Sequence, residues 1–525
     1  MRRFSTPEQA LVQVFGFKAF RPGQEEIIKA VIAGRDALVL MSTGAGKSLC
    51  YQIPALVRPG TAVVVSPLLA LMQDQARALC ERGVTASCLS SMNSLEENRE
   101  VERALRSGAL DILYLTPERL TGEWMMSLLK RSRVSLFAVD EAHCIATWGH
   151  DFRPEYSELG VLRETFPDVP RIALTATADE RTREEISGKL LLNPQVFVSS
   201  FNRPNIYYRV EYGHANEKER LLHFIRASHK GETGIIYCLS RKKTEDIAKF
   251  LNLEGIPALA YHAGQSVDVR EKNQAEFTSG KGIIMAATVA FGMGIDKEDV
   301  RFVVHLGLPK SIEAYFQETG RAGRDGRPAE AWLIWSWRDV VIQQKFIDEG
   351  EGDAAYRDLC NERLGAMVSY AETGGCRRRR LLSYFGETPS FASCHYCDNC
   401  SLPPKLIDRT IEAQKLVCCV IRCEQKSGRH FRMGHLINVL TGQMTPEIMA
   451  EGHGLVSTWS IGRDLSETEW RGVARVLIEE RILRIDLDNG GVLMPGMVVD
   501  LLRGKRKVFV REVKRVKKPG EYRAS

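Results

Sequence analysis

Short runs of apolar residues recur along the first two thirds of the chain, and segments of helical periodicity separate them. A first series of runs ends near residue 177, and a second series begins after residue 206. Uninterrupted apolar runs are typical of strands buried on both faces of a parallel sheet. The pattern therefore predicts an α/β fold with two successive domains, each a doubly wound parallel sheet. The predicted strands lie at 37–40, 61–67, 111–115, 134–139, 171–177, 234–238, 282–288, 301–306 and 331–334.

A different pattern appears near the end of the chain, where Ser466 and Glu469 form a predicted capping box at the start of an amphipathic helix. Apolar residues then recur on one face of that helix, at Trp470, Val473, Ala474, Leu477 and Ile478. The Asp-Asn-Gly-Gly sequence at 488–491 can turn residues 482–487 back onto 492–494 as a hairpin. A helix followed by a hairpin is the plan of a winged helix. The pattern alone also fits a packing module or a protein-docking surface.

Length and charge add limits to this picture. A chain of 525 residues suggests three or four domains. No apolar run approaches the roughly 18 residues of a membrane span, and no signal peptide is apparent, so we expect a cytoplasmic protein. The net charge is +6, but residues 501–525 hold ten Lys or Arg and two Asp or Glu. This basic tail fits either a nucleic-acid contact or a solvated chain end.

Residues 41–48, MSTGAGKS, follow the first predicted strand and precede a predicted helix. Gly44 and Gly46 let backbone N–H groups converge on one spot, and the helix start adds the positive end of its dipole, so the turn suits a polyphosphate. Lys47 can reach the β and γ phosphates, and Ser48 can hold a bridging Mg²⁺. The usual phosphate-loop pattern begins with Gly, and this position is Met41 here. The alternative interpretation is a glycine-rich turn with an incidental lysine.

Two acids, Asp140 and Glu141, follow the predicted strand 134–139 directly. Open α/β sheets bind their ligands at this carboxyl end of the strands. Asp140 would hold the Mg²⁺ together with Ser48, and Glu141 would orient and deprotonate the attacking water. Adjacent acids also occur as helix caps. The phosphate loop upstream favours nucleotide hydrolysis.

An aromatic loop, WGHDFRPEY at 148–156, comes soon after these acids. Trp148 and Phe152 could stack on nucleic-acid bases for about 1–3 kcal/mol each, with Arg153 beside them. Nucleic acid bound there would be felt at Glu141. The alternative is an ordinary packed loop.

The second α/β series has no phosphate loop, but it carries Arg321 and Arg324 where a predicted helix meets a glycine turn. These arginines could be ordinary surface charges. If they face the nucleotide of the first domain, they would act as arginine fingers on the γ-phosphate once the two domains close.

Thirteen cysteines, an odd number, do not indicate a disulfide framework. Cys376 and the array Cys394, Cys397 and Cys400 could form a tetrahedral Zn²⁺ site that stabilises a small module. The C-x2-C-x2-C spacing also resembles an iron–sulfur pattern, but its fourth cysteine lies upstream and no Cys-Pro follows. Three further cysteines are predicted to lie on a helix and to face a core: Cys418, Cys419 and Cys423.

Taken in order, these motifs closely resemble those of the RecQ family of superfamily 2 DNA helicases, bacterial type. The motifs are FRPGQ at 20–24, TGAGKS at 43–48, SPLLALMQDQ at 66–75, DEAHC at 140–144, WGHDFRPEY, TAT at 175–177, YHAG at 261–264, TVAFGMGIDK at 288–297 and QETGRAGRDG at 317–326. The aromatic loop and the cysteine segment are more specific than the phosphate loop. The resemblance runs from about residue 15 to past residue 500.

The resemblance implies residue roles. Adenine would be bound by Phe17, Arg21 and Gln24, although Phe17 stands where the family often has Tyr. The remaining nucleotide-binding residues would be Thr43, Gly44, Ala45, Gly46, Lys47, Ser48 and Gln317. Catalysis would rest on Lys47, Asp140, Glu141, Arg321 and Arg324. DNA would be bound by Trp148, His150, Phe152 and Arg153. Zinc would be held by Cys376, Cys394, Cys397 and Cys400, and magnesium by Ser48 and Asp140.

The resemblance also implies two RecA-like domains at 1–203 and 204–340, a helical zinc-binding module at 341–405, a winged-helix domain at 406–510 and a basic tail at 511–525. The implied activity is ATP-driven movement 3′ to 5′ along single-stranded DNA, with unwinding of duplex or branched DNA in recombination, repair and the SOS response. ATP, Mg²⁺ and Zn²⁺ are the implied cofactors. We expect a monomer, near the nucleoid, that contacts single-stranded DNA-binding protein through the winged helix.

Two other functions fit parts of the sequence. An RNA helicase or RNA-remodelling ATPase would share the two α/β domains, although the zinc module, the aromatic loop and the winged helix favour DNA. A non-catalytic winged-helix DNA-binding regulator could retain an inactive ATPase fold. The presence of Lys47, Glu141 and Arg324 is evidence against that second alternative.

Overall fold

The computed structural model describes residues 4–42, 44–67, 69–90, 93–146, 153–178, 180–291, 297–350, 352–403, 405–480, 482–485, 492–493 and 498–511. The chain divides into two compact units. The first unit comprises Met1–Ala371 and Cys376–Asp398, and the second comprises Glu372–Gly375 and Asn399–Ser525. Each is described by itself.

The described strands of the first unit are β1 (Ala37–Leu40), β2 (Thr61–Val65), β3 (Ala86–Leu89), β4 (Ile112–Leu115), β5 (Val134–Val139), β6 (Arg171–Thr175), β7 (Gln195–Val198), β8 (Ile206–Tyr212), β9 (Thr233–Cys238), β10 (Ala258–Tyr261), β11 (Ile284–Ala287), β12 (Val300–Leu306) and β13 (Ala329–Trp335). Its helices, the last of which ends at Tyr384, are α1 (Pro7–Phe15), α2 (Gln24–Ile32), α3 (Leu49–Val57), α4 (Leu69–Glu81), α5 (Leu95–Ser107), α6 (Pro117–Leu120), α7 (Glu123–Lys130), α8 (Pro154–Ser157), α9 (Val161–Thr165), α10 (Glu180–Leu190), α11 (Glu217–Ser228), α12 (Arg241–Leu253), α13 (Val267–Ser279), α14 (Ile312–Thr319), α15 (Trp337–Glu349), α16 (Ala354–Glu372) and α17 (Arg377–Tyr384).

The first unit contains a seven-stranded sheet in the order β3-β4-β2-β5-β6-β1-β7, which we call the sheet of the first lobe. Its pairs are parallel, and Leu38 of β1 lies between Ala173 of β6 and Val196 of β7. The predicted doubly wound sheet is therefore confirmed. The sequence pattern missed two of its strands, β3 and β7. Both are edge strands, and β7 is largely exposed, so neither shows a continuous apolar run.

A six-stranded parallel sheet, the sheet of the second lobe, has the order β10-β11-β9-β12-β13-β8. All four strands predicted for this lobe are present, but the edge strands β8 and β10 were not predicted. One face of β8 is buried at Ile206, Tyr208 and Val210, and the residues between them are partly exposed. The central strands are buried on both faces, which explains why their apolar runs were readable in the sequence.

A buried ion pair ties the end of the first-lobe sheet together. The Asp36 carboxylate accepts bonds from the Arg171 backbone N–H at 2.8 Å, the Arg171 Nε at 2.9 Å and the Leu192 backbone N–H at 2.7 Å. Both side chains are almost completely buried. Because a buried charge is costly without partners, these bonds hold the entrance of β1 against β6 and the segment before β7. The phosphate loop leaves the other end of β1.

The described helices from residue 398 onward are α18 (Asp398–Ser401), α19 (Thr410–Ser427), α20 (Met433–Thr441), α21 (Pro446–Ala450), α22 (Glu467–Glu479) and α23 (Val498–Leu502). The strands of the second unit are β14 (Leu406–Asp408), β15 (Arg484–Ile485), β16 (Val492–Leu493) and β17 (Phe509–Arg511). Strands β14 and β17 pair antiparallel, as do β15 and β16. The predicted turn at 488–491 and residues 512–525 of the basic tail lie outside the described residues.

The amphipathic helix of the second unit is α22, and its predicted capping box is confirmed. The Ser466 hydroxyl accepts a bond from the Glu469 backbone N–H at 3.3 Å, and the Glu469 carboxylate accepts one from the Ser466 N–H at 2.9 Å. Trp470, Val473 and Leu477 are fully buried in one apolar core with residues of α19 and α20. In the described parts of both units, no helix combines the length and apolar character required to cross a membrane.

Candidate functional site

The phosphate loop leaves β1 at the carboxyl edge of the first-lobe sheet. Gly44 and Gly46 have φ values of 78° and 85°, a left-handed conformation that favours glycine. The Lys47 ammonium donates to the Met41 carbonyl at 3.1 Å. Met41 itself is 1% exposed and packs against Cys50, so the departure from Gly at this position fills the core beneath the loop. Thr43 lies outside the described residues.

The side chains of Arg21 and Gln24 donate hydrogen bonds to backbone carbonyls of the phosphate loop. The Gln24 amide nitrogen donates to the carbonyls of Gly46 at 3.0 Å and Ala45 at 3.3 Å, and its oxygen accepts from the Arg21 N–H at 2.8 Å. The Arg21 guanidinium donates to the Gly44 carbonyl at 2.5 Å. Both groups of the Gln24 amide are therefore engaged with backbone in this state. An adenine edge would have to exchange with these partners.

The contact between Gln24 and Gly46 leaves little room for a side chain at residue 46. A Cβ atom added at Gly46 would lie 2.5 Å from the Gln24 amide nitrogen, which is closer than real Cβ contacts. Phe17 is 47% exposed, and its ring face is available for stacking. The structure thus brings Arg21 and Gln24 of the predicted adenine site against the phosphate loop.

Ser48 lies immediately before α3, and its hydroxyl has a hydrogen-bond partner, Gln75, that the sequence motifs do not indicate. The Gln75 amide nitrogen lies 3.4 Å from the Ser48 hydroxyl, and the Tyr51 hydroxyl donates to the Gln75 oxygen at 2.5 Å. Gln75 belongs to α4 and is the last residue of the SPLLALMQDQ motif. Side-chain contacts therefore connect that motif to Ser48, the predicted Mg²⁺ ligand.

Asp140 and Glu141 follow β5 as predicted. Asp140 is buried, and its carboxylate accepts a bond from the Glu141 N–H at 3.0 Å. Glu141 has a φ of 48°, an uncommon conformation for a residue other than glycine that is often found at functional sites. Its carboxylate lies 3.4 Å from His143 Nδ1, and the same nitrogen lies 3.0 Å from the Thr175 hydroxyl. The acids are thereby connected to the predicted TAT segment.

Burial disfavours the charged forms of Lys47 and Asp140 in this pocket. Burial, followed by the neighbouring Glu141, raises the pKa of Asp140 to about 7. Burial also lowers the pKa of Lys47, the two acids oppose that change, and Arg324 adds to it. A buried carboxylate and a partly buried hydroxyl are hard oxygen donors, which suit a hard divalent cation. The residues present therefore fit a Mg²⁺ ion held by Asp140 and Ser48.

Arg324 reaches this pocket from the second lobe. A Cβ atom added at Gly44 would lie 3.2 Å from Arg324 Cγ and 3.5 Å from Arg324 Cβ. The arginine of one sheet thus lies directly against the phosphate loop of the other. Arg324 also lies close enough to Lys47 for its charge to contribute to the lowered pKa of that lysine.

The segment that carries Arg324 is held by an arginine that the motifs did not assign. The Arg203 guanidinium donates to the carbonyls of Gly320 at 2.9 Å, Ala322 at 2.7 Å and Gly323 at 3.1 Å. Arg321 is 4% exposed and lies beside Tyr237, whose pKa is raised to about 12 by burial. The buried Arg321 is therefore less accessible than Arg324. Gln317, on α14, is also buried.

The aromatic loop is described only at its carboxyl end, and Trp148, His150 and Phe152 lie outside the described residues. The Arg153 guanidinium donates to the Pro67 carbonyl at 3.3 Å, and its backbone N–H donates to the Cys144 carbonyl at 3.1 Å. The buried Tyr156 hydroxyl donates to the Asp140 carbonyl at 3.1 Å. The end of the loop is thus bonded to the backbone of Asp140. The sequence motifs assign no role to Tyr156.

The four predicted zinc ligands come together. The sulfur atoms of Cys376, Cys394, Cys397 and Cys400 all lie within 4.8 Å of one another. Backbone N–H groups of Arg379 and Tyr396 point at Cys376 and Cys394, at 3.5 and 3.4 Å. Hydrogen bonds from neighbouring thiols lower the pKa of Cys394. Thiolates with N–H partners are the donor set of a structural zinc site.

The four consecutive arginines that follow Cys376 are not one solvated patch. Arg377 is completely buried and forms a two-bond ion pair with Asp398, at 2.9 and 3.2 Å. Arg378 is also buried, donates to the Ile206 carbonyl at 2.8 Å and lies over the Tyr208 ring. These two side chains connect the cysteine segment to strand β8, so half of the basic run serves packing.

Four family profiles match consecutive parts of the chain. They are the DEAD/DEAH box helicase at 21–186, the helicase conserved C-terminal domain at 216–326, the RecQ zinc-binding domain at 337–401 and the RQC domain at 403–519. The chain is 46% identical over 477 residues to ATP-dependent DNA helicase RecQ of Haemophilus influenzae, covering 90% of this chain and 75% of the relative. It is 43% identical over 504 residues to the Pasteurella multocida protein of the same name, covering 95% and 78%. The chain belongs to the RecQ family.

Membership confirms the predicted family and architecture. The RecQ zinc-binding profile includes all four cysteines of the cluster, and it favours zinc over the iron–sulfur alternative. The RQC profile spans the helix and hairpin of the second unit, so the winged-helix prediction is confirmed. Cys419 and Cys423 lie in the core of that unit as expected, and Cys418 is only partly buried.

Solved structures match the RecQ chain at the level of the fold alone. Helicase Lhr of Mycobacterium smegmatis, bound to ssDNA and AMP-PNP, has a TM-score of 0.52 at 18% identity and covers 94% of this chain and 60% of Lhr. A Saccharomyces cerevisiae Dbp5 variant bound to RNA and ADP BeF3 has a TM-score of 0.51 at 16% identity and covers 69% and 98%. One matches with DNA bound and the other with RNA, so the shared fold does not distinguish the two polymers.

The raised pKa of Asp140 predicts how stability depends on pH. Because its pKa rises from 3.8 to about 7 on folding, the stability it contributes is present below about pH 4 and is lost as the pH rises through 7. Asp140→Asn cannot titrate. In urea unfolding without nucleotide or metal, we expect the stability of the variant relative to the parent to rise with pH, by up to about 1.4 kcal/mol per unit.

The control for this experiment is Asp168→Asn, which removes an exposed carboxylate from the same lobe. Its stability relative to the parent should change little between pH 5 and about 8. A difference for Asp140→Asn that is constant over this interval would contradict the assigned titration.

Proposed function

We propose that this RecQ-family chain is an ATP-dependent DNA helicase that moves 3′ to 5′ along single-stranded DNA and unwinds duplex or branched DNA in recombination and repair. The observation that carries the proposal is the contact between the Arg324 side chain of the second lobe and Gly44 of the phosphate loop. A nucleotide bound at that loop would contact both lobes. Its cleavage would therefore change how the lobes attract one another.

Each residue near the loop has a proposed role. Phe17 stacks on adenine, and Arg21 and Gln24 contact the base after exchanging their present backbone partners. The phosphates are bound by the loop residues 43–48 and by Gln317. Ser48 and Asp140 hold Mg²⁺, which when bound neutralises phosphate charge. Glu141 takes the proton of the attacking water, and Arg324, the more accessible arginine, stabilises charge on the γ-phosphate, with Arg321 behind it.

Electrostatics support this assignment. Arg324 contributes to the lowered pKa of Lys47, which means that the two cations repel one another at the loop. A polyphosphate between them would replace that repulsion with two attractive contacts in a site where water is largely excluded. Closure of the lobes would thus be favoured by ATP and weakened after phosphate leaves.

The contacts beside the acids provide a path to the DNA. Arg153 is bonded to the Pro67 carbonyl, and Tyr156 is bonded to the Asp140 carbonyl. A base stacked on Trp148 or Phe152 would shift the segment that these bonds anchor, and His150 would add a polar contact. A displacement of this segment would reach the backbone of Asp140 directly. We infer that DNA binding adjusts the acids in this way.

The setting of the activity is also a proposal. The basic tail and the winged helix fit contacts with duplex DNA, and we propose that the chain acts as a monomer beside the nucleoid. Contact with single-stranded DNA-binding protein through the winged helix is proposed as well. The zinc-binding and RQC domains favour DNA over RNA as the substrate.

A strand-displacement assay tests the function. We expect ATP-dependent unwinding of a DNA duplex that carries a 3′ single-stranded tail, and little unwinding with a 5′ tail, because the proposed movement is 3′ to 5′. ATP turnover should be stimulated by single-stranded DNA more than by RNA. Equal stimulation by RNA would favour an RNA-remodelling ATPase, and absence of DNA-stimulated turnover would favour the non-catalytic regulator.

Arg324→Ala tests the contact between the lobes. We expect kcat for DNA-stimulated ATP hydrolysis to fall by about 10³-fold, because a positioned arginine stabilises the charge of the transition state. The affinity for ATP should change by only a few-fold. The matched control is Arg327→Ala, since the Arg327 side chain is 81% exposed and lies on the same turn. Turnover near the parent value in Arg324→Ala would rule out the proposed finger.

Arg153→Ala tests the path from DNA to the acids. We expect the stimulation of ATP hydrolysis by single-stranded DNA to fall by at least about tenfold, since one stacked or charged contact contributes about 1–3 kcal/mol. Arg163→Ala is the control, because Arg163 bonds to the Gly188 carbonyl on the same lobe. If both variants keep parental stimulation and melt normally, Arg153 serves only packing.

A further inference from the structure

The second unit contains a buried cluster of potential metal ligands separate from the four cysteines. Cys423 lies on α19, His435 lies on α20, and His453 begins a single 3₁₀ turn at His453–Leu455. One ligand atom from each lies within 4.8 Å of the others, and all three side chains are buried. The sequence spacing gave no indication of this cluster, because the three residues come from separate elements.

The two imidazoles have the orientation that metal ligands require. His435 Nε2 and His453 Nδ1 face one another at 2.8 Å. The outer nitrogens have their own partners, since His435 Nδ1 lies 3.1 Å from a Glu447 carboxylate oxygen and His453 Nε2 lies 2.9 Å from the Ser427 hydroxyl. Metal-bound histidines usually have such an outer carboxylate or oxygen partner, which sets the ring orientation.

A second thiol, Cys419, lies one helical turn from Cys423; its sulfur is outside the set of three ligand atoms that lie within 4.8 Å of one another, so it would have to turn toward the histidines to become the fourth ligand. Cys419 Sγ is 4.0 Å from Cys423 Sγ and 3.6 Å from the Leu436 carbonyl oxygen. The i, i+4 spacing on α19 puts both sulfur atoms on the same face of that helix. Two thiols and two imidazoles form the donor set of a closed, four-coordinate zinc site.

The surroundings of the cluster are apolar. The Phe431 ring stacks on His435 with centroids 4.5 Å apart and meets His453 edge-on at 4.6 Å. Cys419 and Cys423 belong to the same buried core as Leu436 and Ile448. An apolar shell excludes water and strengthens the bonds of a metal ion to its ligands. A simple hydrogen-bonded histidine pair would account for the two imidazoles, but it would not require two thiols beside them.

We propose that Cys423, His435 and His453, with Cys419 as the fourth ligand, bind a second Zn²⁺ ion within the RQC domain. Thiolate and imidazole ligands in a tetrahedral set select Zn²⁺ over Mg²⁺ or Ca²⁺. With four protein ligands the site has no open position for substrate, so its role is to hold α19, α20 and the 3₁₀ turn together. The proposal does not depend on the ATPase site.

Elemental analysis of the full-length chain, purified after growth with zinc, tests the proposal. We expect about two zinc ions per chain in the parent and about one in Cys423→Ser. Cys397→Ser should also lose about one, from the other cluster. Cys418→Ser, a partly buried cysteine on the same helix, should retain both. About one zinc in the zinc-loaded parent, or two in Cys423→Ser, would overturn the proposal.

X-ray absorption at the zinc edge of the unmodified chain provides a test that requires no variant to fold. Four sulfur ligands at one site and two sulfur and two nitrogen ligands at the other average to about three sulfur and one nitrogen atoms per zinc. Four sulfur atoms per zinc would show that only the four-cysteine site is occupied. Oxygen ligands on the second zinc would show surface binding, and either result would overturn the proposal.

Discussion

The pocket beside the phosphate loop depends on charged groups whose ionised forms burial disfavours, Lys47 and Asp140 foremost. Lys47 and Arg324 approach from different sheets, and their repulsion contributes to the lowered pKa of Lys47. Asp140 is buried beside Glu141, and burial followed by the charge of that neighbour raises the pKa of Asp140 to about 7. In the proposed function, a triphosphate would lie between the two cations and a divalent cation beside Asp140, so that closure of the lobes would depend on the bound nucleotide.

Hydrogen bonds connect the pocket to the segments around it. Gln24 and Arg21 hold the phosphate-loop carbonyls, Gln75 reaches Ser48, and Tyr156 bonds to the Asp140 carbonyl. Each bond joins a segment that could sense base, metal or nucleic acid to the loop or to the acids. Gln24, Tyr156 and Asp140 are buried, so a shift at one of these three would be transmitted through packed neighbours.

Buried polar groups also stabilise the smaller modules. Arg377 and Arg378 place full charges inside the protein and satisfy them with Asp398 and with backbone carbonyls. The four-cysteine cluster lies in the same short segment of chain, which has few large apolar residues of its own. Metal and charge-assisted bonds there replace the apolar burial that a module of this size cannot provide. The Cys and His cluster of the RQC domain differs, because it lies within an already apolar core.

Local sequence determined the central strands, the phosphate loop, the acid pair and the four zinc cysteines. Those features show themselves within a few residues, as an apolar run buried on both faces or as donor atoms at a fixed spacing. Tertiary structure alone decided the edge strands β3, β7, β8 and β10, whose exposed residues interrupt the pattern and whose pairing depends on a distant neighbour. It also decided the partners of Gln75, Tyr156 and Arg203 and the meeting of Cys423 with two histidines. The physical reason is that such contacts form between elements far apart in the chain, so no local window of sequence contains both partners.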